Sequence, residues 1–174
     1  LIGKIMAIHI RPLTAEDGET AAAIFFDAVH NGTADVYSAA QRNAWAGAAP
    51  DPARWRKRFA NVSGVAAEVD GVMAGFMTLD AEGYIDLAFV RSGLSGRGVG
   101  RALYDRIEAR ARAEGMDRLT VEASITARPF FERMGWRVDA AQVVVKQDIG
   151  LTNYRMSKLL VSGERDGTAA PTAG

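Results

Sequence analysis

The chain of 174 residues contains no cysteine, and that absence removes several chemistries at once. A disulfide framework, a thiolate nucleophile and a cysteine-based zinc site are all excluded. Histidine is nearly as scarce. His9 and His30 are the only imidazoles, too few for a histidine-rich metal site, so no metal is expected. Charge of either sign is not in surplus: Lys plus Arg and Asp plus Glu both number 21, a formal net charge of zero. A general nucleic-acid binder carries a basic excess, so no nucleic-acid partner is expected. No apolar run approaches the roughly 18 residues that a membrane span requires, so no membrane association is expected. Leu1–Ile10 is too short an apolar stretch for a signal peptide, and no small-residue cleavage site follows it. The resulting expectation is a soluble, cytoplasmic protein, with Leu1–Ile5 including residues left by processing.

What the chain does have is apolar content, 48% of its residues, enough for the core of one domain. Met6–Arg11 alternates as a first strand that Pro12 ends. Thr14 and Asp17 mark a helix start, with a stripe of Ile24, Phe25, Ala28 and Val29 running to about His30. Ser38–Ala46 reads as a second helix, and Asp51-Pro52 opens a third to about Ala60. Val65–Val69 and Val72–Leu79, joined by Asp70-Gly71, form a hairpin. Tyr84–Val90 is a further strand. Val99, Leu103, Ile107 and Ala111 recur every four residues on a helix from about Gly98 to Glu114. Leu119–Ala123 is a strand and Thr126–Met134 a short helix that Gly135 closes. Gln142–Lys146 and Asn153–Lys158 form a last hairpin. The predicted fold is mixed α/β, with one mostly antiparallel central sheet flanked by helices. It occupies residues 6–160 as a single domain. Residues 161–174, poor in apolar pattern, are expected to be a disordered tail.

The densest chemical signal is a turn. Gly93, Gly96, Gly98 and Gly100 fall together between a strand and a helix, with Arg97 and Arg101 among them. A helix N-terminus presents unpaired N–H groups and a partial positive charge. Glycine lets the backbone approach a ligand closely, so a phosphate or pyrophosphate is the natural guest. A nucleoside triphosphate loop fits poorly, because Arg101-Ala102 stands where Lys and a metal-binding hydroxyl are needed. The dinucleotide fingerprint also fails, with Leu103 at its third glycine. A tight turn without a ligand remains the bland alternative.

Ser95-Gly96-Arg97-Gly98-Val99-Gly100, directly after the strand residues Leu87–Val90, resembles the acetyl-CoA signature of the GNAT-superfamily N-acetyltransferases, Gln/Arg-x-x-Gly-x-Gly/Ala on a strand-to-helix turn. A second block, Ala127-Arg128-Pro129-Phe130-Phe131-Glu132-Arg133-Met134-Gly135-Trp136, is similar to the family's A-x-x-F-Y-E-x-x-G-F segment. The resemblance spans Met6–Leu160. It implies a GNAT-like fold with a V-shaped opening between the strand ending at Val90 and the strand Leu119–Ala123. The pantetheine arm of acetyl-CoA, as co-substrate, would lie along Ala88, Phe89 and Val90. Its pyrophosphate would sit on the amides of Gly96, Arg97, Gly98, Val99, Gly100 and Arg101, with Ser95 at the rim and Phe130 and Phe131 beside the cofactor. Acetyl would pass directly to an amine in a ternary complex. Many relatives pair, so a homodimer is one expected assembly. Two positions depart from the pattern: Ser95 replaces Gln or Arg, and Phe131 replaces a Tyr that often protonates the departing thiolate. Phenylalanine cannot donate a proton, which leaves water, Ser124 or Thr126.

The acceptor amine must lose a proton, and a carboxylate usually takes it. Glu122 and Asp86 are the catalytic candidates, with Ser124 as a hydroxyl; each acid either faces the cleft or sits in solvent or beside an arginine. For binding a small-molecule amine the candidates are His30, Tyr37, Trp45 and Tyr154. His30 could equally cap a helix, Trp45 and Trp55 could be core, and Tyr154 could simply pack. The expected function is acetyl-CoA-dependent N-acetylation of a small amine. A non-catalytic acyl-CoA sensor and a protein or peptide N-acetyltransferase are the competing readings.

Overall fold

A computed structural model describes residues 5–161; Leu1–Lys4 and the expected tail beyond Val161 lie outside the described residues. The chain opens with β1 (Ile8–Pro12) and the helices α1 (Gly18–His30), α2 (Ala39–Ala46) and α3 (Pro52–Phe59). Local chemistry starts each helix. Thr14 N–H donates to the Asp17 carboxylate (2.9 Å) ahead of α1. Ser38 and Gln41 exchange side chain to backbone bonds at α2, a reciprocal capping box. Asp51 accepts from Arg54 N–H (3.0 Å), with Pro52 in the first turn of α3. Pro12 lies within β1 rather than ending it. The strand is at a sheet edge, and its last position tolerates a residue without an N–H.

The hairpin of β2 (Gly64–Val69) and β3 (Val72–Thr78) turns on Asp70 and Gly71, both at positive φ (51° and 80°). Beyond it the expected strand Tyr84–Val90 divides into β4 (Tyr84–Ile85) and β5 (Ala88–Val90). Next come α4 (Val99–Ala113), β6 (Arg118–Ser124), α5 (Arg128–Arg133), β7 (Arg137–Lys146) and β8 (Ile149–Leu159). The last two strands are longer than the alternation suggested. A register shift in the pairing with β8 lies between Val138 and Ala140, and the turn uses Gln147 and Asp148 at positive φ, without a glycine to announce it.

The strands form two four-stranded sheets, β1-β2-β3-β5 and β4-β6-β8-β7, instead of one. All pairings are antiparallel except β4 with β6. The division occurs at Asp86-Leu87. Leu87 O accepts from Thr78 N–H (2.9 Å), while Leu87 N–H donates to the Thr78 hydroxyl (3.0 Å). The buried Thr78 side chain thus replaces a backbone partner, and the chain leaves β6 to continue along β3. Beyond this point β5 and β6 are not paired, so a wedge opens between the sheets.

Both faces of the β2–β3 hairpin are covered. Ala67 and Met77 face α4, where Val99, Leu103, Ile107 and Ala111 are buried as their spacing predicts. Ala66 and Phe76 face α1 and α3 through Ile24, Trp55 and Phe59. Each large buried side chain is worth roughly 1.5–3 kcal/mol. A polar cluster pins α4 on its other flank. Tyr104 OH donates to Glu108 and accepts from Trp136 Nε1 (2.8 Å). Lys158 Nζ donates to Glu108 (2.8 Å) and to the Met134 carbonyl (2.7 Å), and Arg112 also reaches Glu108 (2.7 Å). No helix among the described residues is long and apolar enough to cross a membrane.

Burial alone would push the Glu108 carboxyl up, but the bonds from Lys158, Tyr104 and Arg112 outweigh it and hold the group at about 2. A depressed carboxylate stabilises the fold fully above its ordinary value of 4.5 and loses that contribution as pH falls towards about 2. Glu108→Gln is therefore expected to cost about 1–2 kcal/mol at neutral pH, discounted because the cluster borders solvent. In urea titrations across pH, the gap to the wild type should close over that acid range.

Candidate active site

The wedge is where unpaired backbone gathers. In the ladder with β3, Thr78 bonds Leu87 and Arg91 N–H bonds Ala74 O. Antiparallel bonding alternates, so Phe89 belongs to the same bonded set. The N–H and C=O groups of Ala88 and Val90 then point to the opposite edge, into the wedge. The glycine turn follows at once. Gly96 and Gly98 take φ of 73° and 86°, and a Cβ built on either would meet no atom within 4 Å. Glycine is thus required there by backbone conformation and opens space in front of the amides. Gly98 caps α4, and the first intrahelical bond runs from Ala102 N–H to Gly98 O (3.0 Å). The amides of Val99, Gly100 and Arg101 have no partner within the helix. Gly100 serves another purpose, leaving room for the Phe130 ring, which a Cβ would approach to 3.4 Å.

These groups line a cavity of about 750 Å³. Of the residues singled out in the sequence, Ala88, Phe89, Val90, Ser95, Gly96, Gly98, Gly100, Arg101, Phe130, Ser124 and Thr126 line it. Arg97 is exposed and outside it. Val99 is buried and can offer only its backbone. Phe131 is 1% exposed, turned into the core against Trp136 and Tyr104. The Arg101 guanidinium is engaged by Asp105 (3.0 Å). An unforeseen contact fixes the turn: Asp27 of α1 accepts from both Ser92 N–H (2.7 Å) and Ser92 Oγ (2.9 Å). Burial pushes this carboxyl up, yet the bonds from Asn31 and Ser92 bring it below the ordinary range.

A second, smaller cavity of about 250 Å³ lies on the far side. Trp45, Phe89 and Ser124 line both, so the two spaces meet there. Ser124 Oγ accepts from Ala127 N–H (3.0 Å), which leaves its own proton to donate. Glu122 is exposed on the same face of β6, lines the small cavity and forms no hydrogen bond or ion pair among the described residues. Asp86 lines it too, but in an ion pair with Arg58 (2.5 Å). Between them Tyr84 has its phenol pushed up, first by burial and then by the charges of Glu122 and Asp86.

The other aromatic candidates separate. Trp45 is half-buried, edge-on to Tyr37 (5.6 Å). Tyr37 is buried, and its hydroxyl is fully engaged, donating to Thr152 O (2.6 Å) and accepting from Ile125 N–H (2.9 Å). That link closes the end of the wall between β6 and β8, and burial raises the phenol above its ordinary value. His30 donates from Nε2 to the Gly47 carbonyl (2.8 Å) and stacks on Phe26; it lines neither cavity. Tyr154 packs against the α4-side core with Arg128 over its ring (4.6 Å), and also lines neither. Arg54, Lys146 and Asn153, which no sequence pattern marked, do line the small cavity. Among the described residues no three His, Cys, Asp or Glu side chains gather as metal ligands would.

Known proteins share this fold. A model of the acetyltransferase (GNAT) domain family matches residues 33–158. An uncharacterised N-acetyltransferase, YafP of Escherichia coli, is 36% identical over 149 residues, covering 86% of this chain and 94% of that protein. The crystal structure of a GCN5-related N-acetyltransferase from Rhodopseudomonas palustris is 36% identical with a TM-score of 0.82, covering 90% of this chain and 98% of the other. A more distant fold relative is yncA from Salmonella typhimurium, solved with acetyl-CoA, at 18% identity and a TM-score of 0.68, covering 97% and 99%.

The Tyr37 link gives a direct test of the wall. Tyr37→Phe removes one hydroxyl and leaves the half-buried Thr152 carbonyl and Ile125 N–H without it. The expected loss is about 1–3 kcal/mol, read from the urea midpoint.

Proposed function

This chain belongs to the acetyltransferase (GNAT) family and is a GNAT-type N-acetyltransferase, and from that premise we propose that it passes acetyl from acetyl-CoA directly to the primary amine of a small molecule, with both bound together. The observation that carries this reading is the pair of unequal cavities meeting at Trp45, Phe89 and Ser124. A sensor of acyl-CoA needs only the first. The second, at about 250 Å³, suits a small acceptor, being below the roughly 300–1,000 Å³ of drug-sized sites.

The larger cavity fits CoA by its donors. Helix N-terminal amides at Val99, Gly100 and Arg101, behind open space at Gly96 and Gly98, suit a pyrophosphate. The free edge at Ala88 and Val90 suits the amides of a pantetheine arm. When bound, acetyl-CoA supplies an activated thioester. The chain's own residues then handle protons. Glu122 takes one proton from the incoming ammonium, directly or through one water, to give the neutral amine; the nitrogen–carbon bond then forms, the carbon–sulfur bond breaks, and the nitrogen's second proton leaves to water. Ser124 offers its O–H to the departing sulfur. The proton that ends on the thiol comes from water, which suffices for a thiol of pKa near 8.5. Phe131, enclosed in the core, takes no part.

Mass spectrometry and thiol release over a panel of primary amines test the reading directly; bound acetyl-CoA with no acetylated amine would sink it. Gly98→Ala is expected to raise the acetyl-CoA dissociation constant about tenfold or more, a loss of ~1.4 kcal/mol. Gly115→Ala is the control. It sits at the other end of α4 with a similar φ of 77° and equally open space, so it shares the backbone strain without touching the cradle. Glu122→Gln should lower kcat by about 100-fold or more with acetyl-CoA affinity intact. An unchanged kcat would remove Glu122 from the role of base.

A further inference from the structure

The small cavity is lined by charges of both signs. Arg54, Arg58 and Lys146 border it together with Asp86 and Glu122. Arg58 and Asp86 satisfy each other at 2.5 Å. That leaves one acid, Glu122, on the β6 wall, and two cations, Arg54 on α3 and Lys146 at the end of β7, none of the three ion-paired among the described residues. Beside Glu122, Asn153 is the cross-strand partner of Ser124 and carries a buried Oδ1 with no donor. A buried acceptor without a donor calls for one from elsewhere. Trp45, Trp55, Phe89 and Leu151 add apolar surface to the same lining.

We propose that the acceptor is a small aminocarboxylate, a primary amine that also bears a carboxylate, seated with its ammonium towards Glu122 and Asn153 and its carboxylate towards Arg54 and Lys146. This rests on the N-acetyltransferase reading above and names the class of amine it uses. An amine with no anion would occupy Glu122 and leave the two lining cations without a counter-charge from the ligand. The planar guanidinium of Arg54 can take a carboxylate with two parallel N–H bonds, and Lys146 adds a point charge. Transfer forms the amide nitrogen–carbon bond, breaks the thioester carbon–sulfur bond and releases one ammonium proton through Glu122 and the nitrogen's second proton to water. The product is an N-acetyl carboxylate that has lost the cation Glu122 was holding, which favours its departure.

The test uses matched acceptors that differ in the carboxylate: phenylalanine against phenylalaninamide, leucine against leucinamide, and ε-aminocaproate against n-hexylamine. The amide partners have the less basic amine and so the larger neutral fraction, so a preference for the acid cannot come from amine reactivity. Thiol release at saturating acetyl-CoA is expected to give kcat/KM at least about tenfold higher for the acid of one or more pairs, equivalent to ~1.4 kcal/mol. Arg54→Ala and Lys146→Ala, both exposed side chains, should each lower that acid-to-partner ratio several-fold, mainly through KM, and Arg54→Lys should restore part of it. Equal or inverted ratios in every pair, or a preference that both alanine variants leave intact, overturn the inference while the N-acetyltransferase reading stands. No acetylation of any amine despite bound acetyl-CoA overturns both.

Discussion

One hydroxyl decides where this protein opens. By accepting from Leu87 N–H, Thr78 satisfies the one backbone group that a strand changing partners would leave buried and unpaired. The chain can then run beside β6 at Tyr84 and Ile85 and beside β3 from Ala88 onward. A continuous sheet would bond β5 to β6 and leave no edge amides to offer. The divided sheet leaves Ala88 and Val90 with free donors and acceptors, and directs the chain from them straight into the glycine turn. The wedge and the position of the glycine turn beside it follow from that change of partner.

The acids along the site are graded by their partners more than by depth. Asp86, just beyond β4, and Glu122, on β6, line the same space, yet Arg58 holds one and no residue among those described pairs with the other. A carboxylate already in an ion pair would have to give up its partner before it could accept a substrate proton. The acid without a partner meets no such obstacle. The same contrast separates the hydroxyls: Tyr37 has spent both its donor and its acceptor on Thr152 and Ile125, whereas Ser124 retains a proton.

Much of the scaffold was legible because its signals are local. The Asp70-Gly71 turn, the four-residue spacing on α4 and the glycines before it state backbone conformations that few other residues tolerate. The two motif blocks were equally readable, and with them the family. What escaped depends on partners distant in sequence. Tyr84–Val90 reads as one apolar strand, and nothing in it says that its neighbour changes midway. Residues 137–141 carry few large apolar side chains, so the length of the last hairpin was hidden although exposure alternates along it. Tyr154 and His30 have suitable chemistry, but which face a strand residue presents, and which carbonyl an imidazole finds, are set by packing. Phe130 and Phe131 are adjacent and alike, and only the direction of α5 separates the ring in the cleft from the ring in the core.

Helix α1 touches every part of this arrangement. Phe25 lines the small cavity, Ala28 and Val29 line the large one, and Asp27 between them grips Ser92 at the root of the glycine turn. Four residues within positions 25–29 of one helix therefore border both cavities and anchor the glycine turn. Any shift of that helix on filling one cavity would therefore move part of the lining of the other and the anchor of the turn with it.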